Sequence, residues 1–481
     1  MREPAYDVMR GALAAVQPSV AAKGQPEPKP RRKRRSAPPA DDLITEDSAA
    51  LRFAAQYEGQ LLFCHDTGAW FVWSGAAWER NWTGLANHWA RELARKMASG
   101  EPDKVRAVAG RSGFAGGVEA MSRRDPIFAR RADIWDADPW LLGTPGGTVD
   151  LRTGSMRRAD PAENITRLTA VAPDPHMACP TWLRFLDEAT RGDTEYIRFL
   201  RQWGGYCLTG DTSEQALCFA HGGGGNGKGV FVRTLSGIMK DYALSAAMET
   251  FTASRHDRHP TEIASLRGAR LVTASETQGG RSWNAQRIKQ LTGGDVMRAR
   301  HMRQDEFEFI PVLKLLFMGN SKPGLASVGK AERRRFNLLP FEFEPASPDP
   351  HLEDRLRAEW PAILHWLILG CLDWKRNGLI RPKTVLTATE DYFSDQDVFA
   401  QWLEDECEVA PANPDLFTSK ATLFAAWTAY ATKAGERVGD TAQLGEALQR
   451  HGIQPKRTNT SRGFTGIRLR PSYPDSSTDL R

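Results

Sequence analysis

The sequence predicts a mixed α/β protein built from several domains, and three observations carry that prediction. A glycine-rich loop near the middle of the chain separates a short apolar run from a helix-like run. Two later apolar runs end in polar residues, as neighbouring strands of a parallel sheet do at a binding edge. The carboxyl-terminal part instead combines two helix patterns with a basic strand pair. We therefore expect an α/β core between an amino-terminal α+β domain and a carboxyl-terminal winged-helix-like domain.

Length, charge and cysteine content limit the class of protein. The 481 residues are enough for roughly two to four domains, and the net charge is +5. Residues 1–40 hold nine Lys or Arg against three acidic residues, which indicates either an arm that binds phosphates or a solvated tail. The six cysteines form no C-x-x-C pair, so neither a zinc site nor a disulfide framework is indicated. No run approaches the length of a membrane span, and we expect a cytoplasmic protein without a membrane partner.

The glycine loop has the spacing of a phosphate-binding Walker A motif. Its glycines would let backbone N–H groups surround phosphate oxygens, while Lys228 would reach the β- and γ-phosphates. Gly229 occupies the position where Ser or Thr normally supplies a hydroxyl to Mg²⁺, so the metal requires a different ligand. A flexible linker is the less favoured alternative, because a lysine and two apolar runs accompany the glycines. The residues predicted to bind nucleotide are Gly222, Gly223, Gly224, Gly225, Asn226, Gly227, Lys228 and Gly229.

Further positions downstream supply the chemistry that ATP hydrolysis needs. Glu276 ends an apolar run and would polarise the attacking water and support Mg²⁺ from a strand next to the loop strand. Asn320 ends a second run and could contact both the γ-phosphate and that water, although an asparagine there could simply cap a turn. Arg334 and Arg335 precede a third run, where they could reach the γ-phosphate of a neighbouring subunit or form an ordinary solvated face.

A basic hairpin is predicted between the strand that ends at Glu276 and the strand that ends at Asn320. Alternating apolar and polar residues flank a polar tip near residues 303–305, as in a β-hairpin. Its basic side could hold the backbone of single-stranded DNA inside the pore of a ring. The basic residues assigned to that contact are Lys289, Arg298, Arg300, His301 and Arg303.

The flanking regions show simpler patterns. The tryptophan-rich strands that follow residue 46 favour core packing over base stacking, and residues 352–379 are expected to form a helical lid. Two helices and a β-wing come next, and residues 450–470 contain six Lys or Arg and no acidic residue. That composition favours DNA binding over protein docking. The DNA contacts predicted in the wing are Lys456, Arg457 and Arg462.

The order of these motifs resembles that of superfamily 3 helicases of the phage and plasmid primase-helicase type, which are related to poxvirus-type NTPases. The resemblance rests on the glycine loop, the acidic strand, the Lys-Gln-Leu-Thr-Gly-Gly-Asp segment at 289–295, the Asn-Ser-Lys-Pro segment at 320–323 and the paired arginines. It covers most of residues 50–470, because residues 147–151 also resemble the domain that precedes the helicase in that family. Gln278 stands where related chains often carry a second acid.

That resemblance implies a P-loop AAA+-like core in a homo-oligomeric, hexameric ring that hydrolyses ATP with Mg²⁺ between subunits. It also implies translocation on single-stranded DNA, forked DNA as a substrate, and a separate primase or other replisome proteins as partners. The setting would be the bacterial host cytoplasm of a phage, prophage or plasmid. By the same resemblance, Lys228 would bind phosphate and Glu276 would be the catalytic acid and metal ligand. Asn320 would be the sensor, and Arg334 or Arg335 would be the arginine finger.

Five parts make up the expected domain organisation. These are a disordered basic tail at 1–45, a primase-helicase-associated domain at 46–185, the ATPase core at 186–345, a helical lid and connector at 346–390, and the winged-helix-like domain at 391–481. Because only the tail precedes the first folded part, primer synthesis by this chain is not expected. The alternative to ATP-dependent unwinding is a nucleotide-switched replication initiator or loading scaffold that recruits a separate motor.

Overall fold

The computed structural model of the chain describes residues 43–253, 260–275, 282–300, 306–324, 330–395, 398–411, 413, 415–434, 438–458 and 461–470. These residues form helices and six β-sheets, so the predicted mixed α/β class is confirmed. No helix within these ranges combines the length with the apolar character needed to span a bilayer.

The amino-terminal part packs helices against a small sheet. The helices are Glu46–Tyr57 (α1), Leu85–Met97 (α2), Asp103–Ala109 (α3) and Ser112–Ser122 (α4). The strands are Leu61–Cys64 (β1), Ala69–Trp73 (β2), Trp78–Arg80 (β3) and Ala129–Arg130 (β4), in the order β3-β2-β1-β4. Trp70 and Trp78 are buried, and their indole N–H groups donate to Glu119 Oε1 at 2.6 Å and to the Pro161 carbonyl at 2.9 Å. Core packing is therefore confirmed for these two tryptophans.

A three-stranded meander connects this part to the central sheet. Its strands are Leu141–Thr144 (β5), Gly147–Asp150 (β6) and Ser155–Arg157 (β7), and two helices follow, Pro180–Ala189 (α5) and Thr194–Cys207 (α6). Leu142, Val149 and Leu151 are fully buried in the same hydrophobic cluster as α5, α6 and the strands of the central sheet. The meander therefore shares a core with the sheet that carries the glycine loop.

Five parallel strands form the central sheet, with the basic hairpin inserted before its fourth strand. The strands of the sheet are Leu217–His221 (β8), Ala243–Ser245 (β9), Leu271–Ser275 (β10), Lys314–Gly319 (β13) and Phe336–Pro340 (β14); the hairpin strands are Met297–Arg300 (β11) and Glu306–Phe309 (β12). The helices are Lys228–Met239 (α7), Pro260–Ser265 (α8), Ala285–Gly293 (α9) and Lys330–Arg333 (α10). Both faces of the sheet are covered: Leu217 and Phe219 of β8 enter one cluster, and Cys218 and Ala220 enter the other. Burial on both faces explains the continuous apolar runs in the sequence.

The lateral order of the sheet corrects one prediction. The order is β14-β8-β13-β10-β9, so β13 lies between the loop strand β8 and the strand β10 that precedes Glu276. The expectation that the acidic strand would be next to the loop strand is therefore wrong. The residues of a strand do not specify its lateral neighbour, and a crossover between parallel strands can leave room for a later strand to insert.

A helical region follows the sheet. Its helices are Leu352–Ala358 (α11), Trp360–Asn377 (α12), Lys383–Asp395 (α13) and Val398–Glu406 (α14). The helix expected over residues 352–379 is interrupted at Glu359, whose carboxylate accepts the N–H groups of Thr181 and Trp182 at 3.0 and 2.9 Å. The break therefore lets one side chain satisfy two backbone donors in the first turn of α5.

The carboxyl-terminal part has its own hydrophobic cluster, centred on Trp402, Trp427 and Phe464. Its strands are Cys407–Val409 (β15), Phe417–Ser419 (β16), Gln454–Arg457 (β17), Arg462–Thr465 (β18) and Ile467–Leu469 (β19). Its helices are Lys420–Lys433 (α15) and Thr441–Arg450 (α16). The two helices and the strand pair predicted from the sequence are therefore present.

The crossing of α6 and α12 generates a stability prediction. A Cβ atom added at Gly205 would overlap the backbone of Leu367 and Cys371 in α12. Backbone cannot move aside as a flexible side chain can, so we expect Gly205→Ala to lower the free energy of unfolding by about 1–3 kcal/mol or more. Urea unfolding followed by circular dichroism measures the change.

The matched control is Gly116→Ala in α4, where an added Cβ meets no atom within 4 Å. Alanine favours a helix over glycine by up to about 1 kcal/mol, so this variant should unfold at the same urea concentration as wild type or a higher one. Equal unfolding midpoints for Gly205→Ala and wild type would contradict the close approach of the two helices.

Candidate nucleotide site

The glycine loop joins the end of β8 to the start of α7 in a backbone shape that requires glycine. Gly222 and Gly227 have φ angles of +149° and +86°, and a Cβ on Gly222 would overlap the Phe341 carbonyl. Gly227 caps α7 without a side-chain hydrogen bond. The first N–H groups of a helix lack partners within that helix and carry the positive end of its dipole. The loop is therefore suited to hold an anion such as a phosphate.

Lys228 holds the loop together and connects it to the neighbouring strand. Its side chain is buried, and Nζ donates to the carbonyls of Gly222 and Gly223 at 2.8 and 2.6 Å. The same ammonium group donates at 3.1 Å to Oδ1 of Asn226 and at 3.1 Å to Oδ1 of Asn320. Burial lowers the pKa of Lys228. The structure thus brings together Lys228, at the start of α7, and Asn320, immediately after β13.

His221 and Lys322 also belong to this site, although sequence reasoning did not select them. His221 is the last residue of β8, and burial, with the charges of Lys322 and Lys228, lowers its pKa to about 4. The imidazole is therefore neutral near pH 7, while the carboxylate of Glu344 lies close to Gly223 of the loop and opposes the effect of burial on the pKa of Lys228. Two features of the sequence could have pointed to these residues. His221 ends the strand immediately before the glycine loop, and Lys322 lies two residues after Asn320.

A cavity of about 340 Å³ opens beside the loop. It lies between α5, the loop and the segment that leads into α11, and its walls include Arg184, Phe185, Gly225, Val230 and Pro345. The Phe185 ring would lie 2.8 Å from a Cβ atom on Gly227, so this aromatic side chain also leaves room only for glycine there. No local pattern in the sequence pointed to α5 as a wall of the site.

Arg334 and Arg335 lie at the amino-terminal ends of the strands, whereas the glycine loop lies at the carboxyl-terminal ends. β14 begins immediately after them and pairs in register with β8, from Phe336 beside Leu217 onwards. Five strand residues span about 16 Å, so the arginines are separated from the loop of their own subunit by the length of the strand. Arg334 is exposed and Arg335 is 4% exposed.

The hairpin presents its arginines to solvent, opposite acidic residues. Arg298 and Arg300 are exposed on β11, whereas Met297 and Ala299 are buried. The antiparallel register sets Arg300 opposite Glu306 and Arg298 opposite Glu308. Arg298 Nε lies 2.9 Å from Glu308 Oε1. Lys289 is exposed on α9. The predicted hairpin is confirmed, and its exposed face carries both signs of charge.

The basic residues of the carboxyl-terminal strands border a separate groove of about 480 Å³. Lys456, Arg457 and Arg462 line it from β17 and β18, and Glu446 and Gln449 line it from α16. The groove therefore lies between a helix and a strand pair.

Glu276, Gln278, His301 and Arg303 lie outside the described residues. Within the described ranges, no three or more His, Cys, Asp or Glu side chains are grouped as a metal site, and Gly229 has no hydroxyl to offer. The described part of the site thus supplies partners for phosphate, whereas the assignment of Glu276 to Mg²⁺ stays a prediction.

Comparison with known proteins agrees with the motif order. A family model described as D5 N terminal like matches residues 50–191, and a model of a family of unknown function (DUF5906) matches residues 220–335. The chain is 25% identical over 310 residues to "Putative helicase L207/L206" of Acanthamoeba polyphaga mimivirus, covering 58% of this chain and 32% of that protein. It is 27% identical over 270 residues to "Putative helicase 022R" of Frog virus 3 (isolate Goorha), covering 51% and 27%.

The matches therefore span a third or less of the length of these viral relatives. Among solved structures, an apo form of the NrS-1 C-terminal region covers 82% of this chain and 84% of its own, with a TM-score of 0.45 and 12% identity. A second apo structure of that region, residues 305–718, covers 85% and 95% with a TM-score of 0.46 and 9% identity. The two family models and the viral relatives agree with the resemblance of this chain to superfamily 3 primase-helicases of phages and viruses.

The contact between Lys228 and Asn320 predicts two different defects. Lys228→Ala should abolish nucleotide binding, because it removes the ammonium group that would face the phosphates. Asn320→Ala should retain binding but slow hydrolysis, by analogy with the loss of about 10²–10³-fold when one preorganised donor is removed. Titration with a fluorescent ATP analogue and a phosphate-release assay measure the two effects.

Lys96→Ala, at an exposed position on α2, is the control for loss of a lysine and should behave as wild type in both assays. If Asn320→Ala hydrolyses ATP at the wild-type rate, Asn320 merely caps the turn after β13, and the sensor role is wrong.

Proposed function

We propose that the chain is the ATP-driven motor of a replicative DNA helicase of a phage, prophage, plasmid or virus, and that it unwinds DNA as a homo-oligomeric ring moving along single strands. The observation that carries this proposal is the 3.1 Å contact between Lys228 and Asn320 at one edge of the sheet. The paired arginines at the amino-terminal ends of the strands support the proposal of a ring. They lie away from the glycine loop of their own subunit, so each site would be completed by an arginine of the adjacent subunit.

The five-stranded parallel sheet would be a P-loop AAA+-like core. Support comes from the glycine loop between β8 and α7, from the neighbouring strand that Asn320 follows, and from the similarity to viral proteins named putative helicases. The cavity beside Phe185 and Gly225 would receive the base and ribose of ATP, since it opens directly beside the loop that would hold the phosphates.

Each site residue would have a distinct role in hydrolysis. Lys228 and the loop N–H groups would bind the β- and γ-phosphates, and the Asn320 amide would orient the attacking water. Glu276 would polarise that water and would also hold Mg²⁺. The metal would supply electrostatic stabilisation of the charge that develops on the phosphate.

An arginine would act on the nucleotide of the next subunit. Arg334 is the better candidate, because it is exposed, whereas Arg335 is almost fully buried within its own subunit. A guanidinium group that reaches the γ-phosphate stabilises transition-state charge, an effect of about 10³–10⁵-fold in other nucleotide hydrolases. Hydrolysis would consequently depend on assembly of the ring, which we expect to be a hexamer.

Two basic surfaces would contact DNA. The hairpin would enter the pore and hold the backbone of the single strand, and its arginines can exchange partners because exposed ion pairs contribute only about 0–1 kcal/mol. The groove lined by Lys456, Arg457 and Arg462 would bind the duplex ahead of the fork or at an origin. A separate primase or other replisome proteins would complete the machine.

The hairpin provides the experiment that separates a motor from a loading scaffold. Replacing Arg298, Arg300 and Arg303 together with alanine should abolish DNA-stimulated hydrolysis and unwinding while basal hydrolysis persists, because the glycine loop and Asn320 are unchanged. Phosphate release with and without single-stranded DNA, and strand displacement, measure these effects.

Glu306→Gln with Glu308→Gln is the matched control, since it removes the opposing acids and leaves all the arginines. This variant should bind single-stranded DNA at least as tightly as wild type and should still unwind. Unwinding at the wild-type rate by the triple arginine variant would contradict the pore contact and favour the nucleotide-switched scaffold.

A further inference from the structure

The connection between α6 and β8 contains a side chain that holds both candidate finger arginines. We propose that Gln215 is a positioning residue that aims Arg334 at the γ-phosphate bound by the neighbouring subunit. This inference rests on the proposed function, because it assumes that an arginine acts across the subunit interface.

One amide oxygen bridges two guanidinium groups. Oε1 of Gln215 accepts a hydrogen bond from Nη2 of Arg334 at 3.0 Å and another from Nη2 of Arg335 at 3.0 Å. Gln215 lies two residues before β8, and the arginines lie immediately before β14, which pairs with β8. The contact therefore joins segments 119 and 120 residues apart at the amino-terminal edge of the sheet.

The two arginines differ in how firmly they are anchored. The carbonyl of Arg335 accepts the N–H of Leu217 at 2.7 Å and the side-chain amide of Asn337 at 3.2 Å. Its side chain is buried, whereas that of Arg334 is exposed. An exposed arginine loses rotamer entropy when it is fixed in one position. The bond to Gln215 restricts Arg334 before the phosphate arrives, so less entropy remains to be lost.

A neutral acceptor is well suited to this role. The amide orders the guanidinium groups without cancelling their charge, so the pair stays attractive to an anion. Burial, followed by repulsion from Arg334, lowers the pKa of Arg335, and attraction from Glu332 and Asp295 offsets these two effects only in part. A phosphate oxygen near Arg334 would relieve the repulsion between the arginines. A carboxylate at residue 215 would keep both hydrogen bonds but would compete with the phosphate for the arginines.

The backbone around Gln215 is itself held in place. Gln215 has a φ angle of +50°, which is uncommon for a residue other than glycine, and its N–H donates to the Thr212 carbonyl at 3.0 Å. The preceding residue, Glu214, accepts the indole N–H of Trp374 in α12 at 2.8 Å. Such a conformation persists where surrounding contacts determine it. These contacts consequently fix the position of the Gln215 amide relative to both β8 and α12.

The test compares Gln215→Met and Gln215→Glu with wild type. Methionine keeps the length of the side chain and removes the oxygen, so kcat for ATP hydrolysis should fall by about 10- to 100-fold while KM stays the same, since a misplacement of about 1 Å can cost 10²-fold. Glutamate should also lower kcat, although it preserves both hydrogen bonds and should not lower the unfolding midpoint. A merely structural role for Gln215 predicts the opposite for glutamate, namely wild-type kcat.

Complementation in mixed oligomers identifies which side of the interface fails. Gln215→Met subunits retain their nucleotide site, and Lys228→Ala subunits retain their arginines, so adding excess Lys228→Ala protein should raise the rate per Gln215→Met subunit. Ser213→Ala, at an exposed position two residues away, is the control and should hydrolyse ATP as wild type.

Wild-type kcat in both Gln215 variants, or the absence of complementation, would overturn the inference. A defect in Arg334→Ala alongside that result would show that the finger is needed but that Gln215 does not position it. If Arg334→Ala and Arg335→Ala each hydrolyse ATP normally and do not inhibit wild-type rings, the finger itself is wrong and the proposed function loses its trans-acting arginine. The two failures are thus distinguishable. If Gln215→Met does not fold, the glutamate variant decides the matter through kcat and the unfolding midpoint.

Discussion

The in-register pairing of β8 with β13 is the constraint on which the rest of the site depends. It sets Gly319 beside His221, so that the residues after the two strands emerge at one edge. Lys228 and Asn320, 92 residues apart in the chain, meet there at 3.1 Å. Because β14 pairs in parallel with β8, its start and the paired arginines before it lie at the amino-terminal ends of the strands. In the proposed ring, one subunit would therefore present its phosphate site on one side and the arginines on the other.

Features that depend on local spacing could be predicted from the sequence. The glycine loop between a strand and a helix, the hairpin at residues 297–309, and the helices around residues 420–450 all follow from short patterns of apolar and turn-forming residues. The positive φ angles of Gly222 and Gly227 belong to the same class, because they arise from the backbone of the loop itself, whereas the close approach of Phe341 and Phe185 to these glycines depends on the tertiary fold.

Features that depend on lateral packing could not be predicted in the same way. The role predicted for Glu276 placed its strand next to β8, yet β13 occupies that position, since nothing in a strand's own residues encodes its neighbour. Phe185 contacts the loop from α5, which lies far upstream in the chain. Gln215 accepts a hydrogen bond from Arg334 where the segments before β8 and β14 lie side by side. The opposition of Arg298 and Glu308 was within reach of sequence reasoning, because a hairpin register fixes cross-strand pairs once the tip is chosen.

Strand displacement on a fluorescently labelled DNA fork is the most direct measurement of the central claim, that nucleotide hydrolysis at the glycine loop drives unwinding. Purified wild-type protein should separate the strands with ATP and Mg²⁺, and should not do so with a non-hydrolysable ATP analogue. Lys228→Ala should fail with either nucleotide while still binding the fork, because the hairpin and the carboxyl-terminal groove are unchanged. Strand separation by Lys228→Ala, or by wild type with the analogue, at the rate seen with ATP would contradict the account.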